Sequence, residues 1–150
     1  MTNAKPPGDR IVTKGEAECA SPEETRALGA RLGGGVAPGA VISLEGPLGA
    51  GKTQFVKGFA AALGHAGEVS SPTFTLVHEY AGGAVAHFDW YRLESAEEVV
   101  GIGWDDYLAG GGTLLVEWGD RFPELLPAGA WRVRFEIRGD ARVVRWERAA

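Results

Sequence analysis

Apolar residues recur along the chain in two rhythms, and each change of rhythm marks an element. Ala27, Leu28, Ala30 and Leu32 follow helical spacing behind Ser21-Pro22-Glu23-Glu24. Serine caps a helix start, proline suits the first helical position, and an acidic pair favours the positive helix end. A helix is therefore predicted from Ser21, ended by the glycines at 33–35. The β-branched run "AVISLE", residues 40–45, predicts a buried strand that leads directly into a glycine loop. Phe55, Val56, Phe59, Ala60 and Leu63 then return to helical spacing, with Gly64 as the stop.

Further on, "FTLVHEY" (74–80) and "AVAHFDW" (84–90) flank Ala81-Gly82-Gly83, the pattern of a β-hairpin. "ESAEEVVGIGWDDYLAGGG" predicts a helix broken in two at Gly101 and Gly103. "TLLVE" (113–117) predicts a buried strand. In "WRVRFEIRGDARVVRWE" the alternation of Val133, Phe135 and Ile137 predicts a hairpin turning at Gly139-Asp140. Residues 1–10 carry two prolines and no periodicity, so they read as a flexible leader before a domain over 11–150.

Composition narrows the class. With 45% hydrophobic and 23% charged residues the chain is globular rather than disordered. No apolar stretch is long enough for a bilayer, and the start lacks the apolar region of a secretory signal. Cys19 is the sole cysteine and forms no Cys/His cluster, which together with the missing signal points to the cytoplasm. The net charge of −5 argues against a chain-wide nucleic-acid surface. The charge is unevenly spread. Residues 89–124 hold nine acids against Arg92 and Arg121, whereas 131–150 hold six arginines against three acids. Solvated faces of one domain explain both patches; contact of the arginine hairpin with an RNA phosphate is the sharper alternative.

The candidate chemistry sits in "GPLGAGKT", residues 46–53, which satisfies G-x4-G-K-[ST] without a gap. Glycines at Gly46, Gly49 and Gly51 let backbone N–H groups turn toward an anion where a Cβ would obstruct it. The helix starting near Lys52 aims its positive end at the same place. Lys52 can bridge phosphates and the Thr53 hydroxyl can ligate magnesium, while Ala50 and Gln54 complete the loop's lining. A phosphate loop also needs a carboxylate after an apolar strand. Glu117 ends "LLVE" and Asp89 ends "AHFD"; one would ligate the metal and the other would orient water, and residue type does not decide which. Ser71, Thr73 and Thr75 supply hydroxyls in a segment that could sense a phosphate as switch loops do. Trp118 follows Glu117 and could stack near the site. His65, His78 and His87 lack metal spacing and read as structural.

Four segments together resemble one family: "GPLGAGKT" (46–53), "SPTFTLVHEY" (71–80), "HFDWYRL" (87–93) and "VEWGD" (116–120). In order and spacing they are similar to TsaE, formerly YjeE, the bacterial ATPase of tRNA threonylcarbamoyladenosine synthesis. The resemblance covers about residues 19–148. It implies a single α/β P-loop NTPase domain, three-layered, with a mixed, mainly parallel central sheet and a C-terminal β-hairpin. It implies ATP and Mg2+ as ligands, a TsaB–TsaD complex as protein partner, tRNA met only indirectly or weakly, and no membrane. By motif position, Lys52 holds phosphates, Thr53 and Glu117 ligate magnesium, Asp89 activates water, Trp118 lies beside the nucleotide, and Ser71 and Thr73 belong to a switch-like segment. Ser21 and Arg142 would approach the nucleotide. Pro47, Trp90 and Gly119-Asp120 depart from residues common in that family, and none of them is a phosphate- or metal-binding group. A small-molecule kinase shares the loop but needs a lid and acceptor pocket, and "GWDDYLAGGG" is acidic where an arginine lid would stand. A nucleotide-sensing scaffold without useful hydrolysis is the third reading.

Overall fold

The computed structural model describes residues 12–70, 72 and 75–148. The predicted leader, residues 1–10, lies outside them. Seven strands form one sheet: β1 (Lys14–Cys19), β2 (Val41–Glu45), β3 (Val77–Tyr80), β4 (Val85–Asp89), β5 (Thr113–Glu117), β6 (Trp131–Arg138) and β7 (Ala141–Arg148). Their order is β1-β7-β6-β2-β5-β4-β3. The central pairings β6–β2, β2–β5 and β5–β4 are parallel, and the outer pairings are antiparallel. Only β3 and β7 run against the other five strands. The predicted C-terminal hairpin is thus built into the sheet, where it separates β1 from β2.

Strand β1 was not apparent from the sequence. Its burial alternates weakly, because it is an edge strand held by pairing to β7 rather than by an apolar face. Helices α1 (Pro22–Gly35) and α2 (Lys52–Ala62) cover one face of the sheet. Leu28, Leu32, Phe55, Val56 and Phe59 pack there on Ile42, Leu44, Leu115, Val133 and Val144. Helices α3 (Ala96–Gly101) and α4 (Trp104–Gly110) cover the other face, with Val99 and Trp104 on Phe88, Leu114 and Val116. That second layer spans only the β4–β5 side. Over β6, β7 and β1 the same face carries charged residues and stays open.

Helix starts obey their local chemistry. Glu24 N–H donates to Ser21 Oγ at 3.2 Å, and Glu98 N–H donates to Ser95 Oγ at 3.2 Å. In both helices the glutamate carboxylate reaches back to the N–H just before the cap, from Ala20 at 2.8 Å and from Glu94 at 3.1 Å. The expected end of α1 needs correction. The helix runs through Gly33–Gly35 and is capped at Val36. Gly29 and Gly33 of α1, with Gly58 of α2, serve close packing. A Cβ on Gly29 would lie 2.0 Å from Phe55 O, one on Gly33 would lie 2.8 Å from Phe59 O, and one on Gly58 would lie 1.8 Å from Arg26 O. Bare glycine faces let α1 and α2 touch backbone to backbone, which fixes where α2, and with it the glycine loop, begins.

Candidate functional site

The C-terminal ends of β2, β4 and β5 converge, the position where open parallel sheets collect ligands. From β2 the chain enters the loop 46–51, whose Gly46, Gly49 and Gly51 have φ of 148°, 78° and 102°. Gly51 is the N-cap of α2 in the left-handed region, offers no side-chain cap, and no acid stands in the first helical turn. The first N–H groups of α2 therefore face the loop without a protein carboxylate competing for them. Lys52 opens the helix and is 5% exposed. Its Nζ donates to Gly46 O at 2.7 Å and lies 4.2 Å from the centroid of the Trp118 ring. Burial pulls the Lys52 ammonium below its ordinary range, and the carboxylates of Glu117, Asp89 and Asp120 only partly counter that.

Asp89 and Glu117 end adjacent parallel strands in direct register. Both are buried. Strand alternation turns them, with His87, toward the α1–α2 side of the sheet, where the loop lies. Asp89 Oδ1 accepts from the Tyr91 N–H at 2.9 Å. Glu117 Oε2 lies 2.6 Å from His87 Nε2, and the His87 ring is wholly buried. Trp118 takes a left-handed backbone conformation, φ 61°, which swings the chain across the site after β5. Its N–H donates to Leu44 O at 2.9 Å, and its ring packs at a 45° tilt against Tyr91 with centroids 4.9 Å apart. One buried cation, two buried carboxylates and an aromatic lid thus surround the mouth of a glycine loop.

The structure brings together Gly46, Gly49, Ala50, Gly51, Lys52, Thr53, Asp89, Glu117 and Trp118. Thr53 is half-buried in the first turn of α2. Gln54 is placed differently: its side-chain oxygen accepts from Arg26 Nε and Nη2 at 3.3 and 2.9 Å, which leaves its backbone N–H for the loop. Ser71 and Thr73 lie outside the described residues, and Thr75 is exposed. Arg142 reaches the loop, donating from Nε and Nη2 to Gly49 O at 3.3 and 3.2 Å. With Ser21, Thr25, Gly51 and Gln54 it borders a cavity of about 170 Å³ beside the loop. Of the other tail arginines, Arg132 forms a two-pronged pair with Glu45 at 3.0 and 2.8 Å, and Arg145 bridges Glu16 and Glu136 at 2.7 and 2.9 Å. Arg134 and Arg138 also meet Glu45 and Glu136, so four of the six tail arginines share three carboxylates, while Arg142 and Arg148 donate to backbone carbonyls.

The sequence reads all three histidines as structural, and the structure sets one of them, His87, against Glu117. Its strand parity with Asp89 was a usable signal, since residues 87 and 89 must share a face. What the sequence lacked was the pairing of β4 with β5, which sets Glu117 diagonally across from it. Among the described residues no group of three or more His, Cys, Asp or Glu is arranged to hold a metal ion by itself. The hard oxygen donors here, a hydroxyl and one or two carboxylates, suit magnesium, which ordinarily completes its shell with substrate phosphates and water. Among the described residues no helix is long and apolar enough to cross a membrane.

Comparison with known proteins places this geometry among relatives. The family described as "Threonylcarbamoyl adenosine biosynthesis protein TsaE" matches residues 19–145. The tRNA threonylcarbamoyladenosine biosynthesis protein TsaE of Bacillus subtilis is 43% identical over 122 residues, 80% of this chain and 76% of that protein. The protein of the same name from Treponema pallidum is 39% identical, over 80% of this chain and 90% of its own length. The crystal structure of Bacillus subtilis YdiB superposes with a TM-score of 0.77 at 34% identity, covering 94% of this chain and 89% of that one.

Proposed function

The chain belongs to the TsaE family of threonylcarbamoyl adenosine biosynthesis proteins, and from that premise we propose that it is a magnesium-dependent ATPase. It serves tRNA threonylcarbamoyladenosine synthesis in the cytoplasm by acting on a TsaB–TsaD complex, not on the base. The observation that carries the reading is the meeting of Lys52 with two buried strand-end carboxylates at the mouth of the glycine loop.

In this mechanism the loop amides and the first turn of α2 bind the phosphates of ATP. Lys52 exchanges its bond to Gly46 O for phosphate oxygens, a short movement for a flexible side chain. Thr53 and Glu117 are the residues that would hold magnesium, which when bound neutralises charge on the transferring phosphoryl group. Asp89 orients the attacking water and takes its proton as the water oxygen bonds to the terminal phosphorus and the bond to the bridging oxygen breaks. ADP and phosphate leave. Trp118 and Tyr91 wall the site and keep bulk water from Lys52. Four of the hairpin's six arginines are engaged by Glu45, Glu16 and Glu136, which supports contact with partner protein over direct gripping of tRNA.

The test is steady-state ATP hydrolysis by the purified chain, alone and with TsaB and TsaD. Slow hydrolysis alone, stimulation by the pair, and loss in Lys52→Ala, Asp89→Ala and Glu117→Ala are expected. A rate that the pair does not change, or that survives both carboxylate substitutions, refutes the proposal. ATP-dependent phosphorylation of a small acceptor would replace it with a kinase.

A further inference from the structure

We propose that His87 is a positioning residue for Glu117. This rests on Glu117 serving as a magnesium ligand, as proposed above. The His87 ring is wholly buried in the layer between the sheet and α1–α2, between Leu115 of β5 and His78 of β3, with Val85 and Asp89 beside it along β4. Packing alone gives no reason for an imidazole there, because an unbonded polar ring in such a place is destabilising. Its polarity is used at Nε2. Nε2 meets Glu117 Oε2 at 2.6 Å. Nδ1 lies 3.4 Å from the Tyr80 hydroxyl, and that hydroxyl donates to Ser70 O at 3.1 Å.

A carboxylate only accepts, so Nε2 carries the proton and donates to Glu117 Oε2. The ring is therefore tied to Glu117 through Nε2 and packed against the Tyr80 ring, with centroids 6.0 Å apart. A glutamate side chain has three rotatable bonds, and a buried hydrogen bond to one oxygen fixes the carboxylate plane and turns Oε1 to a defined direction. Groups behind metal ligands commonly set ligand orientation in this way.

Binding of a non-hydrolysable ATP analogue, measured by calorimetry in EDTA and in Mg2+, tests the assignment on the full chain. Loop and Lys52 carry affinity in EDTA, and Glu117 contributes through magnesium. In His87→Leu we expect EDTA affinity to stay within about twofold while the magnesium-dependent gain falls about tenfold or more. His87→Gln, whose amide N–H reaches the Nε2 position, should recover most of the gain. His87→Asn, polar but too short to reach Glu117, should not. The Gln–Asn pair decides the matter even if His87→Leu fails to unfold cooperatively. Equal magnesium gains in Gln and Asn, or a loss in EDTA as large as that in Mg2+, overturn the role of His87. A wild type with no magnesium gain overturns instead the ligand role of Glu117 on which the proposal stands.

Discussion

Replacing Gly58 by alanine sets two known quantities against each other at the α1–α2 contact. Alanine is the better helix former by about 1 kcal/mol, so an exposed helical Gly→Ala change is stabilising. At Gly58 the added Cβ would lie 1.8 Å from Arg26 O, 2.8 Å from Arg26 C and 2.9 Å from Ala30 N. All three are backbone atoms of a helix, so no side chain can rotate aside. Relief requires α1 and α2 to part by about 1 Å or more, in an interface packed at crystal-like density. Overpacking of this kind costs about 3 kcal/mol at the upper end of its usual range, which leaves roughly 2 kcal/mol of net destabilisation after the propensity gain. For a domain of this size that lowers the thermal midpoint by about 4–8 °C.

The perturbation should also reach the site. Thr25 of α1 sits 3.3 Å from where a Gly51 Cβ would be, so separating the helices moves the wall of the glycine loop. Thermal unfolding followed by circular dichroism gives the midpoint, and nucleotide titration gives the second effect. A Gly58→Ala protein as stable as wild type, or more stable, refutes the backbone-contact account of these glycines.

Other consequences follow from the same physics. Gly101→Ala, in the last position of α3 with nothing within 4 Å of the added Cβ, should raise stability by about 0.5–1 kcal/mol, read as a higher denaturant midpoint. Burial alone would raise the Glu45 carboxyl, but hydrogen bonds from Arg132 and Ser43 outweigh it and hold the group below its ordinary value. A depressed carboxyl contributes stability above its unfolded pKa and loses it as pH falls through the folded one. Arg132→Gln should therefore destabilise at neutral pH and differ less from wild type below about pH 4, in urea melts taken across pH. Lys52→Ala should abolish measurable ATP binding by calorimetry while folding normally by circular dichroism. Trp118→Ala should leave the fold intact and weaken ATP binding severalfold, since it removes the ring over Lys52 without removing a phosphate or metal ligand.

Much of the fold was legible because its elements carry local signals. Ser21 and Ser95 cap helices with their own hydroxyls, the glycine loop sits between an unbroken apolar strand and a helical apolar stripe, and the last hairpin turns at Gly139-Asp140. What was not legible depends on long-range contact. Strand β1 exists because β7 offers it an edge. Gly33 looked like part of a terminus because its partner, Phe59 of α2, is more than twenty residues away in sequence. The same holds at the site. The motif identified Lys52 and Thr53, and strand ends identified Asp89 and Glu117, but the neighbourhood of β4 and β5 was needed to connect His87 with Glu117. The arginine tail showed its charge, and only the register with β2 and β1 revealed that Glu45 and Glu16 pair with part of it.

The most direct test of the proposed role is the yield of threonylcarbamoyladenosine in a reconstituted reaction holding limiting TsaB–TsaD, excess tRNA and ATP, and this chain. With the wild-type chain many rounds of product per TsaB–TsaD complex are expected, whereas Glu117→Gln, folded and still binding ATP, should hold the yield near a single round. Equal multiple-round yields with wild type, with Glu117→Gln and with no added chain would contradict ATP hydrolysis at this site as the step that keeps the complex turning over.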